Sequence, residues 1–222
     1  KSFYILNKKD LDVAIENAVT AFLDKDEYKK YLLGNQDKIE EEGTEIINVY
    51  FDQQVTLKKT YISTEENIIT NSNDLSRFFL FGTLDLDNKY TVKASDTIDS
   101  IAYNNQLGVS DFLIANPKIV GANALLAIGQ EVTVAPIDPI ANVVVEAYDT
   151  SYQDITYDTE VEYDKTLGAD QTFIKQEGSN GLSKVTYATK YMNGVIMQTK
   201  LIEEQVISEP VKKIVVYGGY NV

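Results

Sequence analysis

The sequence predicts an α+β protein built from several modules. Apolar residues near the start recur at three- and four-residue spacing, as on one face of a helix, among them Leu11, Ile15 and Phe22. Further along, the pattern changes to strand, helix, helix, strand, and then to strands alone. We therefore expect four ranges: an N-terminal α+β module at 1–88, a βααβ module at 89–136, a proline-containing linker at 137–142 and an all-β module at 143–222.

The N-terminal range carries no motif that indicates a chemistry. Asp10 can cap the first helix, and a second helical stretch stops at Gly34. From Glu45 to Ser63 the residues are typical of strands, and a short helix over Asn73–Phe81 ends at Gly82. The role of this module stays open.

Composition excludes several classes of function. The 222 residues include 20 Lys and Arg against 34 Asp and Glu, a net charge of −14, with no His and no Cys. Zinc sites built on imidazole or thiolate, His-dependent nucleophilic catalysis and disulfides therefore cannot be assembled within the chain. The acidic charge disfavours nucleic acid as a partner, and no apolar stretch is long enough to predict a transmembrane segment. We expect no metal and no cofactor.

The middle range is nearly neutral and carries a recognisable pattern. Its 3 basic and 4 acidic residues contrast with the acidic flanks. A strand at Tyr90-Thr91-Val92 is followed by three residues suited to cap a helix, Ser95, Asp96 and Thr97. Later come Leu113, Asn116-Pro117 and the closing Ile128-Gly129-Gln130-Glu131-Val132. This spacing resembles the LysM domain, a small module that binds peptidoglycan and chitin.

The resemblance implies a shallow groove for N-acetylglucosamine units, formed by two loops. Carried over by position, the carbohydrate-binding residues are Ala94, Ser95, Asp96, Thr97, Asn116, Pro117 and Ile119. Two departures stand out: Ser95 replaces the glycine usual in the family, and the stretch 119–127 is longer and richer in alanine. The alternative for each single residue is structural, because Asp96 and Thr97 can simply cap a helix and Asn116-Pro117 can simply end one.

The C-terminal range resembles the G-five domain, an elongated all-β module with thin sheets. The matching residues include Thr159–Tyr163, Leu167-Gly168, Lys175–Gly178, Gly181, Asn193-Gly194, Glu209-Pro210-Val211 and Ile214–Gly218. Asn193-Gly194 favours a two-residue type I′ hairpin turn. The recurring glycines Gly168, Gly178, Gly181, Gly194 and Gly218 are expected to meet turn and positive-φ demands, and the tyrosines are expected to pack the sheets or stack on sugars.

The order of the two modules resembles the non-catalytic front half of bacterial lysostaphin-type (LytM-type) cell-wall endopeptidases. The zinc peptidase of that family needs His, so we expect this chain not to be an enzyme. Paired carboxylates such as Asp154, Asp158, Glu160 and Glu162 could suggest a glycosidase, but they alternate like the solvated face of a strand.

We therefore expect a peptidoglycan-binding and targeting region of a secreted or membrane-anchored bacterial hydrolase. It would lie outside the cell, in a Gram-positive cell wall or held by a membrane anchor at the outer surface of the cell. The alternative is a surface adhesin or an assembly or regulatory protein whose G-five module contacts a protein partner. Because the sequence starts at Lys1, we expect it to be a piece of a longer protein, with its signal or anchor elsewhere. The closing Tyr217–Val222 would suit a linker into a peptidase domain.

Overall fold

The computed structural model describes residues 2–63, 65–84 and 88–219. The expected linker at 217–222 therefore lies partly outside the described residues. The helices are α1 (Lys8–Thr20), α2 (Lys25–Leu33), α3 (Ser72–Phe81), α4 (Ile98–Asn104) and α5 (Val109–Ala115). The strands are β1 (Tyr4–Ile5), β2 (Gly43–Phe51), β3 (Ile68–Ile69), β4 (Lys89–Thr91), β5 (Glu131–Thr133), β6 (Val143–Ile155), β7 (Thr159–Asp164), β8 (Thr172–Gln176), β9 (Gly181–Met192), β10 (Val195–Ser208) and β11 (Lys213–Gly218). The protein is thus a multidomain α+β protein, as the sequence predicts.

The chain forms two compact units that interleave along the sequence. One contains the residues up to Leu32 together with Tyr50–Val143, and the other contains Leu33–Val49 together with the chain from Val144 onward. The units cut across the ranges expected from sequence, because a segment from the first ninety residues is part of the C-terminal unit. The four sequence-derived ranges themselves stay a prediction.

In the first unit, α1 and α3 pack their apolar faces together. Leu75 and Phe79 of α3 are almost fully buried against Leu11 and Ala14 of α1, and the parallel strands β1 and β3 lie beside them. The N-cap of α1 is Asn7, whose side chain accepts a hydrogen bond from the backbone N–H of Asp10. The sequence analysis assigned that cap to Asp10, but the asparagine three residues earlier takes it.

The βααβ module has its own core and also contributes to that of α1 and α3. Ile98, Ile101, Phe112 and Val132 are fully buried between α4, α5 and the antiparallel pair β4–β5. Ala135, just after β5, is buried in the cluster formed by α1 and α3. The two modules of this unit therefore share apolar contacts.

The proline-containing segment after β5 is hydrogen-bonded to α3. The backbone N–H of Asp138 donates to Leu80 O, and that of Ile140 donates to Phe79 O. Ile137 and Ile140 also pack against the α1–α3 cluster. Residues 137–142, expected to form a proline-containing linker, thus follow the surface of the first unit.

The second unit consists of two sheets. One has the strand order β10-β9-β6-β2, with β9 antiparallel to both β6 and β10. The other has the order β7-β11-β8, with β11 parallel to β7 and antiparallel to β8. Asn193 and Gly194 have φ of 50° and 77°, which confirms the expected hairpin turn between β9 and β10.

The predicted strand over Glu45–Ser63 is only partly correct. Strand β2 ends at Phe51, and residues 52–63 form neither helix nor strand. The tail of the predicted strand contains residues of high β propensity, such as Val55, Leu57 and Tyr61, but all three are exposed. Propensity alone does not make a strand without a neighbouring strand to pair with.

Candidate functional site

The two loops of the βααβ module meet at one end of the β4–β5 pair. The backbone N–H of Val92 donates to Gln130 O at 2.9 Å, and that of Gly129 donates to Val92 O at 2.8 Å. Val92 is the first residue after β4, while Gly129 and Gln130 directly precede β5. The loop 92–97 therefore begins where the loop 116–130 ends, so their backbones lie side by side at this point.

The first loop is held by the carboxylate of Asp96. Its Oδ2 accepts hydrogen bonds from the Tyr90 hydroxyl at 2.9 Å and from the backbone N–H of Lys93 at 2.7 Å. The hydrogen bond to Asp96 raises the pKa of the Tyr90 hydroxyl. The Lys93 ammonium lies 5.5 Å from the centroid of the Tyr90 ring, within cation–π range. Asp96 therefore acts first as an internal support of the loop.

Backbone conformation explains the residues that flank Asp96. Ser95 has a φ of 70°, in the left-handed region where glycine is favoured, which accounts for the glycine usual in the LysM family. Thr97 is the N-cap of α4, where its Oγ1 accepts from Ser100 N at 3.1 Å. Ala94, Ser95 and Thr97 are all exposed, so they present the outer surface of this loop.

The second loop begins at an asparagine whose amide is fully engaged. Asn116 Nδ2 donates to Phe112 O and to Thr133 O, both at 2.8 Å, and its Oδ1 accepts from Thr133 N at 2.8 Å. The side chain thereby ties the end of α5 to β5. It has no N–H left for a sugar, because both of its amide hydrogens are used.

The seven sequence-predicted residues therefore divide into two groups. Four are exposed and can touch a ligand directly: Ala94, Ser95, Thr97 and Pro117. Asp96, Asn116 and Ile119 are half-buried. The first two hold the loops through hydrogen bonds, and Ile119 packs on the core of the module. The assignment of all seven as carbohydrate-binding stays a prediction.

The second loop also carries exposed apolar residues that the sequence analysis did not assign to the carbohydrate site. Val120, Leu125 and Ile128 are 89, 99 and 75 % exposed, although apolar side chains of this size are usually buried. The only sequence signal is an apolar run from Val120 to Ile128 without helical or strand periodicity. Such residues offer apolar surface to a ligand at the same loop.

Two of the four carboxylates considered for glycosidase chemistry, Glu160 and Glu162, are bound to lysines. Glu162 pairs with Lys175 at 2.7 Å, and Glu160 accepts a hydrogen bond from Lys212. The hydrogen bond and charge of Lys212 lower the pKa of Glu160. A general acid of a glycosidase needs a raised pKa, so Glu160 has the opposite property.

A βααβ module with two adjoining loops, followed by a module of strands alone, defines a modular binding protein. Two family models match the chain, and both describe binding or surface domains. The LysM domain matches residues 90–135, and the G5 domain, the G-five domain of the sequence analysis, matches residues 146–219. LysM indicates binding of peptidoglycan or a similar N-acetylglucosamine glycan, and both domains are typical of cell-wall-associated or extracellular proteins.

Two solved structures are each similar to about a third of the chain. One, described as the crystal structure of HP0197-G5, is 25 % identical, covers 34 % of this chain and 97 % of its own, and has a TM-score of 0.29. The other, described as an IgA1 protease G5 domain structure, is 18 % identical, covers 36 % and 94 %, and has a TM-score of 0.23. No curated protein matches the chain. In the described ranges, the structure has no helix long and apolar enough to cross a membrane.

Proposed function

We propose that this chain is the non-catalytic region by which a bacterial peptidoglycan hydrolase binds and targets the cell wall. The observation that carries the proposal is the junction of the two LysM loops at Val92, Gly129 and Gln130. The junction supports a single shallow site that spans both loops.

The chemistry of the site suits an N-acetyl sugar. An N-acetyl group has one amide donor, one carbonyl acceptor and one methyl group. Exposed backbone around Ala94 and Ser95 offers polar groups, and the exposed side chains of Val120 and Ile128 offer an apolar wall. No charged group of the ligand is required, which fits the near-neutral charge of this module.

Co-sedimentation with purified, teichoic-acid-free peptidoglycan tests the binding. The wild-type chain is expected to sediment with the polymer and to be released by soluble N-acetylglucosamine oligomers. The double variant Ala94→Glu/Pro117→Glu places bulk and charge on the exposed surface of both loops, so it should lose at least about tenfold in affinity.

A matched control uses the same change on the exposed surface of a neighbouring helix. Tyr103→Glu on α4, where the native side chain is 84 % exposed, should sediment like the wild type. If the wild type stays in the supernatant, or if the loop variant binds as well as the control, glycan binding at this site is wrong.

The link to a hydrolase rests on the order of the LysM and G5 domains. Extending the reading frame beyond Val222 tests it: a zinc-peptidase domain with paired histidines supports the link, and another kind of domain argues against it. The G5 match favours the alternative of a surface adhesin or assembly protein that contacts a protein partner. Wild-type protein that fails to bind peptidoglycan would favour that alternative.

A further inference from the structure

Strand β10 is an exposed sheet edge with an unusual apolar pattern. Its 14 residues are all exposed, and in the described part of the chain β9 is the only strand that pairs with it. Three apolar pairs recur every five residues: Ile196-Met197, Leu201-Ile202 and Val206-Ile207. These six side chains are between 46 and 58 % exposed. Natural proteins usually protect such edges, because they can pair with other chains.

Three β-bulges coincide with the three apolar pairs. The pairing of β10 with β9 shifts register between Ile196 and Gln198, between Leu201 and Glu203, and between Val206 and Ser208. A spacing of five residues would place successive pairs on opposite faces of a regular strand. Because each bulge inserts one extra residue, the spacing becomes four positions and the pairs return to one face.

The register on β9 confirms this shared face. Ile196, Leu201 and Val206 lie opposite Tyr191, Tyr187 and Ser183. These three β9 residues are four apart along their strand, so they point to the same side of the sheet. The bulges therefore gather the apolar pairs of β10 into one stripe along the edge strand.

The polar residues on the two sides of the central apolar pair of β10 complement each other when the order of one side is reversed. Gln198-Thr199-Lys200 precedes the central pair, Leu201-Ile202, and Glu203-Glu204-Gln205 follows it. Lys200 and Glu203 lie one ladder position before and one after the centre, opposite Ala188 and Thr186 of β9. A strand with this order is complementary to itself when its direction is reversed.

We propose that β10 pairs antiparallel with β10 of a second copy of this chain. A two-fold axis at Leu201-Ile202 then sets Lys200 of each copy opposite Glu203 of the other, and Gln198 opposite Gln205. The central apolar pairs face each other, and the pair at 196–197 faces the pair at 206–207. Opposite charges and apolar residues directly across an antiparallel ladder are stabilising, and a two-fold interface needs this self-complementarity.

The far edge of the same sheet indicates that association stops at two copies. The Gln36 side chain donates to Ile46 O at 2.8 Å and accepts from Ile46 N at 2.8 Å. The amide of Gln36 thus pairs with the backbone of β2 as a neighbouring strand would. Because Gln36 occupies the backbone groups of Ile46 at the middle of β2 while β10 stays open, we expect the sheet to extend through β10, which gives a closed dimer.

Sedimentation equilibrium of the full chain and of charge variants tests the proposal. The wild type should dimerise in a concentration-dependent way. Lys200→Glu or Glu203→Lys alone sets like charges opposite each other twice per dimer and should weaken dimerisation about tenfold. The double variant Lys200→Glu/Glu203→Lys restores both pairs and should dimerise like the wild type. Lys58→Glu, which makes the same charge change at an exposed position outside the sheet, is the control.

Mixing the two single variants gives a second readout. In a mixed dimer, the carboxylate introduced by Lys200→Glu in one chain faces the ammonium introduced by Glu203→Lys in the other. The native Glu203 of the first chain faces the native Lys200 of the second, so hetero-association should exceed either homo-association.

A cross-link at the two-fold axis gives a third readout. The chain has no cysteine, so Ile202→Cys adds a lone thiol at the axis and should form a disulfide-linked dimer on mild oxidation. Tyr103→Cys should not. A wild-type chain that is monomeric at millimolar concentration, or a charge swap that restores nothing, would overturn the proposal.

Discussion

At the scale of single residues, Ser95 occupies a conformation that costs free energy. A non-glycine residue with a φ of 70° is disfavoured by about 1–2 kcal/mol relative to right-handed conformations. Glycine avoids this cost but loses more entropy on folding. Ser95→Gly should therefore stabilise the LysM module by about 0.5–1 kcal/mol.

Hydrogen exchange of the α4 amides measures this gain within the module itself. Ala94→Gly is the matched control, since Ala94 does not have a positive φ. It should destabilise the module by roughly 0.5 kcal/mol, because glycine there only enlarges the unfolded ensemble. Equal effects of the two substitutions would show that the left-handed φ of Ser95 carries no cost.

Protonation of Tyr191 makes the stability of the second unit depend on pH in the alkaline range. Burial and the hydrogen bond to Asp149 Oδ2, at 2.7 Å, raise the pKa of Tyr191 to about 12 from an ordinary value of 10.0. The folded state thus holds this proton at pH values where the unfolded chain has released it. The contribution of protonated Tyr191 to the free energy of unfolding is complete below pH 10 and is lost as the pH rises from 10 to about 12.

Unfolding by urea as a function of pH shows this loss. The free energy of unfolding of the wild type should fall more steeply above pH 10 than that of Tyr191→Phe, which has no proton to release. Asp149→Asn keeps an acceptor but removes the charge, so it should give an intermediate slope. Identical slopes for all three proteins would contradict a raised pKa at Tyr191.

At the scale of elements, close backbone approach decides where glycine is needed. Of the five recurring glycines, only Gly194 has a positive φ. Gly178, Gly181 and Gly218 instead lie against neighbours that an added Cβ would overlap: the Tyr157 ring, Ser208 O and Gly168 O. The sequence analysis attributed these glycines to turns and positive φ, and the structure shows a different reason for these three.

Gly218→Ala should therefore destabilise the sheet β7-β11-β8 by about 2–3 kcal/mol, because the methyl group must displace a backbone carbonyl. Gly168→Ala is the matched control on the facing segment. Its nearest neighbour is the flexible Asp170 side chain at 3.1 Å, so the cost should stay below about 1 kcal/mol. Urea midpoints of the two variants compare them, and equal losses would rule out the backbone contact as the cause.

Local signals predicted the elements that depend on local chemistry. The Asn193-Gly194 hairpin, the end of α3 at Gly82 and the cap at Thr97 all follow from residues within one turn. The bulges of β10 and the short length of β2 depend on which strands lie beside them. Sequence periodicity carries no information on those neighbours.

The candidate site could likewise be predicted only in part, because the sequence does not show which residues become neighbours in the fold. Its loop positions could be carried over from the LysM pattern, but the roles of single residues could not. Asn116 was expected to contact the ligand or to end a helix. It is the C-cap of α5, as the second alternative predicts, and its amide also joins α5 to Thr133, a residue 17 positions away. Only the folded chain brings that strand within reach of the amide.

At the scale of the whole molecule, the second unit extends beyond the G5 match. The match starts at residue 146, yet the sheet also includes β2. Thr44 Oγ1 donates to Asp149 Oδ1 at 2.6 Å, Tyr152 N donates to Glu42 Oε1 at 3.3 Å, and Ile46 is buried. A segment about one hundred residues upstream therefore completes this unit.

A fragment of residues 143–222 should consequently be less stable than the same residues in the full chain. It loses the hydrogen bonds of β2 and the burial of Ile46, together worth roughly 3 kcal/mol, and it leaves the edge of β6 open. Urea unfolding should show a lower midpoint, and light scattering should show aggregation. Joining residues 33–51 to residue 143 through a flexible Gly/Ser linker supplies the strand again and should restore both properties. If the bare fragment unfolds at the same urea concentration as the full chain, residues 143–222 fold independently, and the upstream strand adds nothing to their stability.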